Sequence, residues 1–527
     1  MRKYVNIIVL AVLLIFFGVY YFMKNVTWDE VLLKVGQYDE KITIMNTADI
    51  HGHIMFADNA WGQYTTENIY GVMGLPVVKY LYDKEKQSNP NTLIVDTGDM
   101  FHGTNEANVD EGQGIVEVAN KMGYIAMIPG SNDFNFGIDR FMEIKDEIQF
   151  PMLSANLYMD EQRMFEPYKI VDIGGKRIAF IGLLTPQALR NFSGDQHQNI
   201  SIKDPEQEVT AVLNEIKGQA DAVILLSHLG DDTDVQLAEH VDGIDLILSG
   251  RRHNLYTNAV KVRNTYIAEA GAWTTHVGIA NLYFKDGKLA DISWTVKSLR
   301  DSGKADPDMA EIADKYHAVA MEQTKEVVGS SAIKLNGVRT QLRTQETNFA
   351  NLLADTMREK AGAEIALVNG GGIRESIDEG EISLYQLNSA LPFANSLIVV
   401  EMKGDPIYKA IERGLLAYPN GTNGAFLQVS GIKYVFDASK PAGERLVEVT
   451  YNGEPLAKDK LYKVAISDYL YNGGDNYEEF KDAEVLDTGE LLMNVLADYL
   501  REKKVVNPQE DGRIEAINLR YGSGLFN

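Results

Sequence analysis

Five short segments carry residue types that bind divalent metals: Asp49-Ile50-His51, Gly98-Asp99, Gly130-Ser131-Asn132-Asp133, Ser227-His228 and Gly250-Arg251-Arg252-His253. The chain has no cysteine. Any metal must therefore sit on His, Asp, Glu or Asn, a donor set that suits zinc, manganese, magnesium or calcium. A lone Asp-x-His is weak evidence, because a capped loop with a surface histidine gives the same pattern. Placement is what strengthens it. Each segment follows a run that reads as a buried strand: Lys41–Met45, Leu93–Asp96, Ile125–Ile128, Val223–Leu226 and Leu246–Leu248. Ligands of open α/β sheets gather beyond the carboxyl ends of strands. Five sequence-distant loops are thus expected to meet at one place. His53 and His102 lie close to these segments, and His102 could replace a missing ligand. His197, His240, His276 and His317 have no spacing argument.

The elements that must position these loops alternate from residue 40 to about 300. Continuous apolar, β-branched strands such as Thr92–Val95 and Asp221–Leu226 imply sheets covered on both faces, hence an α/β layered domain. A linker segment, 301–335, follows. In it Asp306 should cap a helix with Pro307 in its first turn, and Met309, Ile312, Ala313, Tyr316, Val319 and Ala320 share one face. A second, mixed α/β domain is expected over 336–519, with a helix at Phe349–Glu359 and several glycine turns. One turn, Asn369-Gly370-Gly371-Gly372-Ile373-Arg374, lets backbone approach a ligand closely and ends on an anion-gripping arginine. Arg339 and Arg343 share a helical face. Phe426 and Tyr469, with Asp475, sit in glycine-rich stretches and could sandwich a base and hydrogen-bond a sugar.

The order of the five metal segments resembles that of the calcineurin-like metallophosphoesterases, a four-layer αββα fold. The segments after residue 335 look like the C-terminal domain of the bacterial and cell-surface 5'-nucleotidases. The resemblance spans roughly residues 40–518. It implies nucleotide hydrolysis at two divalent metals bridged by one aspartate. Carried over, site one is Asp49, His51, bridging Asp99 and His253, all present. Site two would need an Asn and two His beside Asp99, and only His228 remains. Ser131 stands where the family has the metal-binding Asn, Asn132 where it has the catalytic His, and Arg251 where it has a metal-binding His. Arginine cannot ligate a metal, but it can hold a phosphate bidentately. One metal per chain is therefore expected, with Asn132 and Arg251 at altered catalytic positions. The resemblance also assigns Arg339, Arg343, Asn369 and Arg374 to substrate, Phe426 and Tyr469 to the base, and Asp475 to the nucleoside.

Length and charge are consistent with this expectation. The 527 residues carry a formal charge of -25 and are 45% hydrophobic, enough for several cores and unsuited to duplex nucleic acid or an anionic membrane surface. Residues 1–24 place Arg2 and Lys3 before an apolar run, Tyr4–Met23, about one bilayer core in length as a helix. They read as an uncleaved signal anchor, single-pass, with the globular part outside the cytoplasm. Nothing in the sequence fixes the oligomeric state.

Overall fold

The computed structural model describes residues 33, 35–56, 71–191, 199–302, 304–393, 395–419 and 423–519. The expected anchor over residues 1–24 and His197 lie outside them. Among the described residues no helix is long and apolar enough to cross a membrane.

The apolar runs form two sheets packed face to face. One orders Lys288–Ser298, His276–Lys285, Glu40–Thr47, Thr92–Asp96 and Ala126–Met127; the other orders Val260–Val262, Thr265–Glu269, Leu246–Ser249, Ala222–His228, Lys176–Leu184 and Tyr168–Ile173. Ile42, Ile44, Leu93 and Val95 of the first meet Ile178, Phe180, Ile224 and Leu248 of the second in one dry core. Helices Gly74–Ser88, Gln113–Met122 and Ile138–Glu147 cover the outer face of the first sheet. Pro205–Glu215 and Asp231–His240 cover the second. The result is the expected αββα stack. Central strands are buried on both faces, which is why they read as continuous rather than alternating apolar runs.

The connecting helix runs Pro307–Gln323. Asp306 accepts the Met309 N–H at 2.9 Å, and Pro307 opens the first turn. Met309 and Ala313 join the first domain's core, and Tyr316 Oη donates to Glu117 at 2.6 Å. The helix thus belongs structurally to the first domain. Val319 does not share the buried face and is 37% exposed; at 100° per residue it falls on the rim of a stripe only three turns deep.

The second unit begins earlier than the expected boundary. Val327–Ser331 already pairs with Gly380–Ser383 and Val505–Val506. Its main sheet orders Leu427–Ser430, Ile365–Asn369, Leu461–Ser467, Ser396–Lys403 and Glu484–Leu491. Helices Asn348–Ala361 and Leu492–Lys503 cover one face, and Gly404–Gly414 lies over the other.

Candidate functional site: a metal-donor cluster beneath an arginine cleft

The strand ends carry the five loops to one point. Asp49, His51, Asp99, Arg251 and His253 all have φ between +49° and +81°. Non-glycine residues pay roughly 1–3 kcal/mol each for such conformations, and they cluster where function needs a side chain aimed inward. The loops are tied together behind the donors. Asp133 accepts the N–H groups of Asp99, Met100, Phe101 and Gly130 at 2.8–3.1 Å. Gly130 lies flat on the Asp99 backbone and carboxylate, leaving no room for a Cβ. Asp234 accepts the hydroxyls of Ser227 and Ser249, joining the strands that present His228 and Arg251.

Two overlapping donor sets result. Asp49, His51 and His253 form one; Asp49, Asp99 and His228 form the other, and within each the ligand atoms lie within 4.8 Å of one another. His51 Nδ1–H is turned to the His102 carbonyl at 3.1 Å and His228 Nδ1–H to the Thr97 carbonyl at 2.8 Å. That leaves both Nε2 atoms facing the cluster, the usual orientation of metal-ligating histidines. The Nε2 atoms of His51 and His253 stand 3.3 Å apart. Burial pushes His51 down to about 4 and His253 well below its ordinary value, so both are neutral; with Nδ1–H of His51 on a carbonyl, its Nε2 lone pair faces His253. His228 Nε2 is buried without a hydrogen-bond partner, 3.4 Å from Asp99 Oδ2. Burial, with Asp99 beside it, lifts Asp49 to about 8. Asp99 is held well below the carboxylate range against its own burial, chiefly by His228. Crowded buried acids and imidazole nitrogens turned inward together are relieved by a cation, so these residues fit a divalent metal.

The altered residues also fall here. Asn132 donates to both oxygens of Asp99, through its backbone N–H at 2.7 Å and its amide at 2.8 Å, and its own Oδ1 accepts from Asn135 at 3.1 Å. Ser131 is half-buried at the start of the short helical turn Asn132–Phe134. The Arg251 backbone N–H donates to Asp49, while its guanidinium reaches the Leu229 carbonyl at 2.9 Å. His102 does not join the donors. It lies tilted against Phe136 and stacked over Phe393, with Nδ1 3.2 Å from the Asn135 amide. His53 Nδ1 pairs with the Ile50 carbonyl at 2.6 Å and likewise stands outside the donor sets.

The second domain closes over this floor. Arg339 lies 5.5 Å from the Trp273 ring, and Trp273 meets His253 edge-on at 4.9 Å. Arg374 packs on Phe393 at 5.4 Å. Positive charge from Arg339, Arg374 and Arg343 helps hold His253 neutral, behind burial and the neighbouring His51. Arg343 is buried, and burial plus Arg339 and Arg374 lower its pKa. Asn369 donates to Asp475 at 2.9 Å, and Tyr469 Oη donates to the other Asp475 oxygen at 3.2 Å. Phe426 behaves differently. It is 1% exposed and packs near Tyr434 and Phe436, a core position in this arrangement. It enters the strand Leu427–Ser430 as the inward member of an apolar run, which a glycine-flanked aromatic does not reveal in sequence.

Sequence reasoning gave no role to Asp133, Asp234, Asn135 or Trp273. Asp133 had a readable signal, an acid closing a glycine turn after a strand, where backbone N–H groups converge. Trp273 had none, because its importance comes from a contact with another domain.

Residues 42–254 match the family of calcineurin-like phosphoesterases, and residues 327–482 match the 5'-nucleotidase C-terminal domain. The crystal structure of a 5'-nucleotidase precursor from Thermus thermophilus superposes with a TM-score of 0.80 at 30% identity, covering 91% of this chain and all of that one (100%). The 5'-nucleotidase of Diplobatis ommata is 27% identical, covering 92% of this chain and 93% of its own length. A trifunctional nucleotide phosphoesterase protein of Bacillus subtilis is 29% identical; this chain spans only 35% of its length. The protein belongs to the 5'-nucleotidase family of calcineurin-like phosphoesterases.

Proposed function

We propose that this chain hydrolyses the phosphoester of nucleotides with one divalent cation per chain, held by Asp49, His51, Asp99 and His253. The observation that carries this reading is the facing of the two domains. Arg339 and Arg374 stand over the metal-donor histidines, and Asn369, Tyr469 and Asp475 cluster beside Arg343. A phosphate gripped by the arginines is presented to the donor cluster, and the sugar esterified to it falls toward Tyr469 and Asp475. When bound, the cation supplies positive charge to phosphoryl oxygens and acidifies water.

The chain's own residues do the rest. Arg339, Arg343 and Arg374 bind and orient the phosphate through charge-assisted hydrogen bonds. Arg251 adds a fixed cation in place of a second ligand. Asn132 can hydrogen-bond a phosphoryl oxygen but has no titratable proton to give a leaving oxygen. Catalysis therefore rests on positioning and charge, and it is slow. Residues 1–24 anchor the chain, with its globular part outside the cytoplasm.

A second reading, nucleotide or nucleoside binding without turnover, is favoured by one observation: Asn132 occupies both oxygens of Asp99. Phosphate release from a panel of nucleotides, run with zinc, manganese, magnesium or calcium and on metal-stripped protein, decides between them. Metal-dependent release supports hydrolysis. Calorimetric binding of AMP without release supports the second reading, and neither binding nor release removes both.

A further inference from the structure

Trp273 is 1% exposed, yet it joins none of the hydrophobic cores among the described residues. A buried tryptophan is ordinarily core filling, so its neighbours decide its role. Its ring meets His253 of the donor cluster edge-on, and its face carries the guanidinium of Arg339, from the other domain, at 5.5 Å. The turn that presents the ring lies between Thr265–Glu269 of one sheet and His276–Lys285 of the other. It is tied to both donor loops. The Trp273 N–H donates to the Asp49 carbonyl at 2.8 Å, and the Gly271 N–H to the Asn254 carbonyl at 2.9 Å. Thr274 accepts the Met73 N–H on its carbonyl and the Gly74 N–H on its hydroxyl, each at 3.0 Å. Trp273 and Thr274 stand at φ +57° and +53°, which a β-branched threonine adopts only where its surroundings impose it. The ring is therefore fixed by the first domain. Arg339 opens the short helix Arg339–Leu342 and shares the cleft with Arg343 and Arg374, whose like charges repel it. An aromatic face offsets that repulsion.

We propose that Trp273 is a positioning residue: its ring holds Arg339 above the metal donors, so the phosphate grip is built from both domains. The inference rests on the nucleotide reading above and deepens it.

The test is a double-mutant cycle on the full chain at saturating metal, read by calorimetric binding of AMP. Trp273→Leu, which stays apolar and loses the π face, and Arg339→Ala should each weaken AMP about 10-fold. The two together should stay within about twofold of Arg339→Ala alone, because the ring acts through the arginine. Trp273→Phe should bind within about threefold of the natural chain. Losses that add in the double variant, or a Trp273→Phe no better than Trp273→Leu, overturn the proposal while leaving nucleotide binding intact. So does a loss of metal affinity in Trp273→Leu, read by competition with a chelator, that matches its loss of AMP; the ring would then serve His253 alone. If Trp273→Leu does not fold, tryptophan emission decides. Saturating AMP should shift it in the natural chain and not in Arg339→Ala; an equal shift in both, or none in either, overturns the proposal. No binding of AMP by the natural chain removes the functional reading and this one together.

Discussion

At the residue scale, the site shows how side chains outside the donor set hold it. Asp133 ligates nothing, yet it gathers four N–H groups from two loops. Asp133→Ala leaves them unpaired in a buried place, and metal affinity should fall about 10–100-fold, read by competition with a chelator. An unchanged affinity would show that the loops are held by packing alone. Arg343 belongs to the other half of the cleft. Arg343→Ala should weaken nucleotide binding about 10-fold or more while metal affinity stays as it was, because on the function proposed the arginine grips the phosphate and stands outside the metal-donor sets. Loss of both would mean that Arg343 shapes the fold rather than the ligand.

At the element scale, one short helix, Asn105–Asn108, in the loop that follows Asp99, makes a polar seam between the two domains. Asn105 donates to the Tyr385 carbonyl at 3.0 Å and to Ser389 Oγ at 2.8 Å, and Asn108 donates to the Pro392 carbonyl at 3.2 Å. Glu106 is buried at the centre, accepting from Tyr385 Oη at 3.1 Å and paired with His317 of the connecting helix at 2.7 Å. Glu375 of the second domain faces it, pushed up to about 8 by burial and by Glu106. The hydrogen bond to Glu106 raises His317 above its ordinary 6.5. A raised folded pKa contributes stability that is fully present below 6.5 and is lost as pH rises through the folded value. His317→Gln should therefore lower the melting temperature by about 1–3 °C at pH 6 and not at pH 9.5, a modest figure because the imidazole is partly exposed. A pH-independent difference would assign the contact to packing.

The strands and the five donor loops were legible because burial on both faces writes continuous apolar runs, and their ends carry Asp, His and Gly. The seam was not. Asn105, Glu106 and Tyr385 are polar residues on short helices, and only their partners across the domain boundary distinguish them from a solvated surface. The same limit hid Trp273 and the core role of Phe426.

At the scale of the whole molecule, one domain supplies a metal floor and the other an arginine roof. The asymmetry between them is the central claim. Asp49, His51, Asp99 and His253 converge, and Arg339, Arg343, Arg374, Asn369 and Asp475, which the resemblance assigns to phosphate and sugar, gather above them. By the family's pattern, Ser131, Asn132 and Arg251 stand where a metal ligand, a catalytic histidine and a second metal ligand are expected. All three were visible in the sequence, since each breaks a pattern of residue types whose frame is otherwise kept. What the sequence could not show is how Asn132 spends its amide on Asp99.

The most direct measurement is the rate of metal-dependent phosphate release from a nucleoside monophosphate by the natural protein and by the triple variant Ser131→Asn, Asn132→His, Arg251→His. Restoring a metal ligand set and a titratable group at a dinuclear centre is worth orders of magnitude. The account predicts slow, metal-dependent release by the natural chain and a rise of about 100-fold or more in the variant. A natural chain already fast, and unmoved by the triple substitution, would contradict it.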